Sequence, residues 1–345
     1  MALSTEAKLY RWDDDNAPVL SGTRGSLCAL LKACLVDGYG SKVAAGWSVP
    51  YSSADDLIKV YQGSSDSNGF VLRVDEQTSA DARYPTLQGF EAMTDIDNGL
   101  QGFPSSPLTS AADTWGHMFI SDAASTASRA WALIANEACF YLFIFTGTDD
   151  PTADDRVKSL FFGDIIAFNQ NDSYNTVLSL CGGGNRSYYN QKKWDMGGFV
   201  AHCPGDDNEE GVYVREIADA TQPLISSPRG ASGDALAGPV EQMVMITGGG
   251  PRGCEGAYGR LCRGYHNGEV LHLGRPMVPD YNFNIARGWL PGLYVPSAYF
   301  SYPPCVVFSY DDQEYFYVCG YPQGGTDTGQ KHKTYMLINL THFWA

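Results

Sequence analysis

The most apolar part of this chain runs from Arg129 to Gly147 and holds a single acid, Glu137. Trp131 to Phe145 is 15 residues, with Asn136-Glu137 in its middle, whereas a helix that crosses a bilayer needs about 20 apolar residues. No membrane span is expected. Each half reads as a strand instead. Trp131-Ala-Leu-Ile-Ala and Cys139-Phe-Tyr-Leu-Phe-Ile-Phe are rich in aromatic and branched side chains that suit a pleated surface, and a polar pair divides them. A buried β-hairpin is predicted. A two-residue type I′ turn wants positive φ at both central positions, which Asn-Glu supplies poorly, so a longer loop is expected.

Enclosing such a hairpin takes a large core, and 345 residues of which 44% are hydrophobic can supply one. Length alone allows two domains or one large β domain. Asp and Glu number 39 against 23 Lys and Arg, a formal charge of −16. A surface of that sign repels phosphate backbones, and no cluster of Lys and Arg stands out, so no nucleic-acid partner is expected. The nine cysteines, at 28, 34, 139, 181, 203, 254, 262, 305 and 319, are odd in number and mostly lie in apolar runs. They read as reduced thiols acting as small hydrophobes. Met1-Ala-Leu-Ser-Thr-Glu has neither the charged start nor the apolar run of a secretory signal, in keeping with folding in a reducing cytoplasm. The sequons at Asn171, Asn185 and Asn339 then carry little weight.

One segment has helical periodicity: Leu27, Leu30, Leu31, Cys34 and Leu35 repeat on a single face, with Ser26 near the start and Gly38 after the end. A hairpin follows, Leu57-Ile-Lys-Val-Tyr-Gln and Phe70-Val-Leu-Arg-Val about a loop of Gly, Ser, Asp and Asn. Arg83 to Met93 adds a strand that Pro85 places at an edge. Residues 1–104 are thus expected to form a small α+β module. Gly102 to Ser110, rich in Pro and Ser, is read as a boundary.

From 111 to 345 the pattern is strand upon strand: Gly116 to Ser121, the opening hairpin, Ser159 to Phe168, Thr176 to Cys181, Gln242 to Thr247, Glu269 to Leu273, Cys305 to Tyr310, Glu314 to Cys319 and Thr334 to Ile338. Few helices intervene. The expected fold is mainly β, the N-terminal module being followed by a larger antiparallel β-sandwich-like domain. Long connections at Thr148 to Asp155, Pro204 to Glu210, Thr221 to Pro239 and Gly320 to Gln330 read as functional or partner-binding loops.

No motif for chemistry survives inspection. Cys254, Cys262, His266 and His272 lack zinc-finger spacing, with His202-Cys203 elsewhere, and core thiols are the simpler reading. Asp95-Ile-Asp-Asn-Gly99 opens like a calcium loop, but its Gly comes one residue early and Ser106 stands where the bidentate Glu belongs, so a turn is expected. Gly182-Gly-Gly-Asn and Gly248-Gly-Gly-Pro-Arg-Gly-Cys do not continue as phosphate loops do, and Gly230-Ala-Ser-Gly233 is not a nucleophile elbow. Acid pairs at Asp13-Asp-Asp15, Asp149-Asp150, Asp154-Asp155, Asp206-Asp207, Glu209-Glu210 and Asp311-Asp312 fall in turn-like runs and read as solvated loops. The surplus of 21 Tyr, 16 Phe and 7 Trp is the stronger signal. Runs such as Ser187-Tyr-Tyr-Asn, Pro279 to Asn284 and Pro296 to Pro303 suit interface anchors, sugar platforms or β cores.

Gly25-Ser-Leu-Cys-Ala-Leu-Leu-Lys-Ala-Cys-Leu-Val-Asp-Gly-Tyr-Gly-Ser-Lys-Val-Ala-Ala-Gly-Trp47, after Asn16-Ala-Pro-Val-Leu-Ser-Gly, resembles the opening of a group of virion structural proteins of tailed bacteriophages. The Trp131 hairpin, Phe161-Phe-Gly-Asp-Ile-Ile, Asp172-Ser-Tyr-Asn-Thr and Arg287-Gly-Trp-Leu-Pro-Gly-Leu-Tyr294 extend the likeness over most of the chain, with the first 50 residues the most specific. The resemblance implies a non-enzymatic particle component of tail, neck or head, present in several copies and assembled in the host bacterial cytoplasm. It brings no catalytic residue, cofactor or metal. The partners it implies are other virion proteins and copies of the chain itself, with host surface glycan as the alternative for exposed loops.

Overall fold

The predicted hairpin is the middle layer of the fold. The computed structural model describes residues 3–103, 117–153, 157–180, 211–215, 223–226, 273–275, 277–280, 285–296, 302–320 and 334–345. The protein is mainly β, its described residues forming one short helix and several antiparallel sheets in a sandwich-like stack.

Seven strands form the largest sheet, in the order β1 (Lys8–Arg11), β8 (Trp131–Ala135), β9 (Cys139–Phe145), β10 (Val157–Asp164), β12 (Thr176–Leu180), β13 (Gly211–Arg215) and β14 (Pro223–Ser226). A second sheet orders β2 (Ser48–Ser52), β3 (Ile58–Gln62), β4 (Val71–Asp75) and β5 (Thr86–Phe90), and β6 (Ala92–Met93) pairs with β7 (Gly99–Leu100). Towards the C-terminus, β11 (Ile166–Ala167), β17 (Ile285–Trp289) and β16 (Met277–Asp280) form a three-stranded sheet. The last sheet orders β15 (Leu273–Gly274), β18 (Leu293–Pro296), β21 (Thr334–Asn339), β20 (Gln313–Gly320) and β19 (Val306–Tyr310).

Side chains alternate across a strand, so a hairpin with both faces covered reads as one unbroken apolar run. That is the case for β8 and β9. Trp131, Leu133, Ala135, Phe140, Leu142 and Ile144 face a core shared with Leu27, Leu30, Leu31, Tyr61 and Leu72. The alternate residues Ala132, Ile134, Cys139, Tyr141, Phe143 and Phe145 face a second core shared with Leu293, Phe316, Val318, Met336 and Ile338. All of them are fully buried. Trp47 seals the first interface edge-on against Phe140 at 5.4 Å, and Phe343 seals the second against Tyr141 at 6.1 Å. The first core therefore runs across the boundary read at residues 102–110.

The helical segment starts as predicted, α1 spanning Ser26–Lys32, but Ala33–Asp37 is a π-helical turn rather than more α-helix. Gly25 (φ 84°) and Gly38 (φ 79°) bound the two, each in a conformation that glycine tolerates best. The hairpin β3–β4 forms as read, and β5 is an edge strand of its sheet. The β8–β9 loop is longer than two residues: Asn136 Oδ1 accepts the N–H groups of Ala138 (2.9 Å) and Cys139 (3.0 Å).

Three readings need correction. Residues 117–121 are not a strand. They make one bridge, His117 to Thr86, because Met118 and Ile120 donate to the carbonyls of Pro85 and Arg83 ahead of β5 instead of joining a ladder. The strand read over Ser159 to Phe168 breaks at Ile165, leaving β10 and β11 in different sheets. The connection Thr221 to Pro239 contains β14. The strand at 242–247, most of that at 269–273, and nearly all of the boundary segment lie outside the described residues.

Candidate functional site

An aromatic cluster with a buried centre and an exposed rim is built by the parity of the last sheet. Phe316, Val318, Met336 and Ile338 point into the second core, so Tyr315, Tyr317 and Leu337 must point to the other face. Tyr294, Val306 and Phe308 pack over them, half-buried. Rings follow one another along this face: Tyr294 to Tyr315 at 6.2 Å, Tyr315 to Phe308 at 5.8 Å, Phe308 to Tyr302 at 5.3 Å. Tyr302 (47% exposed) and Tyr310 (39%) are the most open of these rings.

At the other end the row continues through a cation. Arg275 Cζ lies 5.4 Å from the ring centre of Tyr294 and 5.3 Å from that of Trp289, while Nη2 donates to the carbonyl of Ala345 at 2.9 Å. Phe168, also half-exposed, meets Trp289 edge-on at 5.0 Å. The hairpin β19–β20 closes through Asp311 (φ 51°) and Asp312 (φ 57°), both with the positive φ of a type I′ turn. Both carboxylates are exposed beside Tyr310. Such a row can stack on planar or ring-shaped groups, and its acidic tip can accept hydrogen bonds.

Among the described residues, the acids singled out by sequence do not converge. Asp13 pairs with Arg11 at 2.7 Å, and Asp14 accepts from Tyr39 Oη at 2.8 Å and pairs with Lys42 at 3.2 Å. Asp150 accepts from the N–H and hydroxyl of Thr152 in an exposed turn. Asp95 closes the expected turn, Oδ1 accepting the N–H groups of Asp97 and Asn98, both at 2.9 Å. Among the described residues, no three His, Cys, Asp or Glu side chains gather as a metal site would need. Cys28, Cys34 and Cys139 are buried free thiols, and Cys305 is buried as well. Burial pushes the first three well above the ordinary thiol range, which suppresses the thiolate that a nucleophile requires. The side chains of Cys181, Cys203, Cys254, Cys262, Cys319, His202, His266 and His272, the glycine runs, the Ser232 motif and the pairs at 154–155, 206–207 and 209–210 lie outside the described residues, apart from the backbone of Cys319.

Sequence inspection missed three buried polar groups. Arg287 and Asp172 form an ion pair, each 1% exposed. Asp164 accepts from Thr176 Oγ1 at 2.6 Å and from the N–H of Asn68 at 2.7 Å. Glu76 accepts the N–H groups of Leu27 (3.3 Å) and Cys28 (2.8 Å) at the start of α1. Burial raises the carboxyls of Glu76 and Asp164 above the usual range. These groups are buried and join elements inside the fold, so they read as structural. Their sequence neighbourhoods carry no local signal, since each partner lies far along the chain.

Neither any protein-family model nor any curated protein matches this chain. What the geometry itself defines is a layered, mainly β protein that carries an aromatic row on its outermost described sheet.

Proposed function

We propose that the protein is a non-enzymatic structural subunit of a bacteriophage particle, present in several copies in the tail or neck and assembled in the host cytoplasm. The resemblance of Gly25 to Trp47 and of the four later segments supports the particle. The observation that supports an assembly role is the aromatic face that ends in Tyr302 and Tyr310. Tyrosine-rich surfaces anchor protein interfaces, because each ring brings large contact area at small entropic cost together with a polar tip. Closed symmetric assemblies repeat one such contact around a ring, which is the arrangement expected here.

Quantitative mass spectrometry of purified virions, followed by a symmetric reconstruction, tests this reading. The expected result is a fixed multi-copy number with the aromatic face covered by a neighbour. Absence from washed particles sinks it. The same row of rings also favours a second reading, a glycan- or receptor-binding module or a capsid decoration protein on the virion surface. A sparse, outward-facing location with the rings open to solvent selects that reading.

A further inference from the structure

We propose that Asn98-Gly99, where the β6–β7 turn meets β7, is a site of spontaneous deamidation that converts Asn98 to aspartate and isoaspartate, while the fold protects the same dipeptide at Asn68-Gly69. The inference stands apart from the assembly reading. The reaction needs only water. The glycine nitrogen attacks the side-chain carbonyl carbon of asparagine, a C–N bond forms, and the amide leaves as ammonia with the proton from the glycine N–H. Water then opens the resulting succinimide at either carbonyl, giving aspartate or isoaspartate without any oxidant or reductant. Glycine favours the ring closure because it has no Cβ to crowd it and few dihedral limits.

The two dipeptides are identical in sequence, but their surroundings differ. Asn68 is half-buried, and its Nδ2 donates to Asn175 Oδ1 at 2.7 Å and to Thr176 Oγ1 at 3.4 Å. Its own N–H donates to the buried Asp164 at 2.7 Å, and the nitrogen that would attack, that of Gly69, donates to Ser67 Oγ at 3.3 Å. Asp164 and Thr176 belong to β10 and β12, so Asn68 is freed only when its loop lifts off the seven-stranded sheet. Asn98 and Gly99 are both exposed. Nδ2 of Asn98 donates within its own turn, to Asp95 Oδ1 at 3.0 Å and Oδ2 at 2.8 Å. Asp95 is exposed too, so water competes for these bonds and the turn opens locally at small cost. Packing demands the glycine: a Cβ at Gly99 would lie 2.3 Å from a ring carbon of Phe90, which packs with Val60 and Val71.

The product alters the turn. A carboxylate at position 98 replaces two donated hydrogen bonds with a like charge facing Asp95. Isoaspartate also adds a carbon to the main chain just before Gly99, which disturbs the pairing of Gly99 with Met93.

The experiment incubates the purified full chain in heavy-oxygen water at neutral pH, folded and in urea. Mass spectrometry follows the peptides carrying Asn68 and Asn98, with fragmentation that separates isoaspartate from aspartate. In the folded protein Asn98 should convert at least about tenfold faster than Asn68, which must wait for its loop to open. In urea the two rates should converge to within about threefold. Equal rates in the folded protein, or no conversion at Asn98, overturn the proposal. A rate ratio that persists in urea overturns the protective role of the fold, since flanking sequence then sets the difference. Asn98→Ser cannot form the succinimide, so conversion that survives in that peptide belongs to another residue and also overturns the proposal.

Discussion

Arg287 holds Asp172 through two donors, Nε 3.0 Å from Oδ2 and Nη2 2.7 Å from Oδ1, and Nη2 also donates to the carbonyl of Tyr174 at 2.7 Å. The pair joins β17 to the turn before β12, residues 115 apart in sequence. A buried charge left alone is costly, whereas an apolar pair of similar volume is often tolerated. Arg287→Ala or Asp172→Ala should each lower unfolding free energy by about 3–5 kcal/mol. Arg287→Met with Asp172→Leu should lose much less. Urea titration of the four proteins checks this, and a double variant as weak as the single ones contradicts it.

The two-sided burial of β8 predicts the response of consecutive residues. Leu133 and Ile134 belong to different cores, so Leu133→Ala and Ile134→Ala should each cost about 2–5 kcal/mol. A strand with one wet face would show one large and one small effect. Paired denaturation curves separate the two cases.

Gly163, in β10, has φ 131°, and a Cβ there would lie 2.3 Å from the carbonyl oxygen of Ala138 and 2.4 Å from Cys139 Cα. Both obstacles belong to backbone in the turn and strand beside it. Gly163→Ala should therefore destabilise by about 3 kcal/mol or more, through strain and overpacking together. A melting temperature within about 2 °C of the parent would contradict this.

Glu76 gives a pH signature. Burial raises its carboxyl above the ordinary value in the folded state, so its contribution to stability is fully present below the unfolded pKa and is lost as pH rises through the folded one. Glu76→Gln removes that titration. The variant should gain stability relative to the parent between about pH 4 and pH 7, a window set by the ordinary Glu value. Unfolding free energies of both proteins at the two ends give the difference directly, and a gap that is constant or moves the other way rejects the assignment.

Much of the local structure was legible in the sequence. The hairpins β3–β4, β8–β9 and β19–β20 stand out because branched and aromatic runs flank turn residues, and α1 because five apolar positions share one face. The strands that escaped notice, β1, β2, β7, β13, β14 and β16 to β18, are short, and several carry Pro or Gly. Only a partner defines them. Pro50 sits in edge strand β2 beside a register shift, and Pro279 at the register shift of β16. The aromatic surplus was visible, but not which rings would line up.

By itself the sequence determined a mainly β protein, an apolar hairpin too short to cross a bilayer, and one helix with a single buried face. These follow from preferences that act between neighbours: the dihedral limits of each residue and the period of its apolar pattern. Tertiary structure alone decided that β1 pairs with β8, that Trp131 and Ala132 face different cores, and that Asp172 meets Arg287. Those relations depend on which apolar faces and buried charges find complements far along the chain, and no local window contains both members of such a pair.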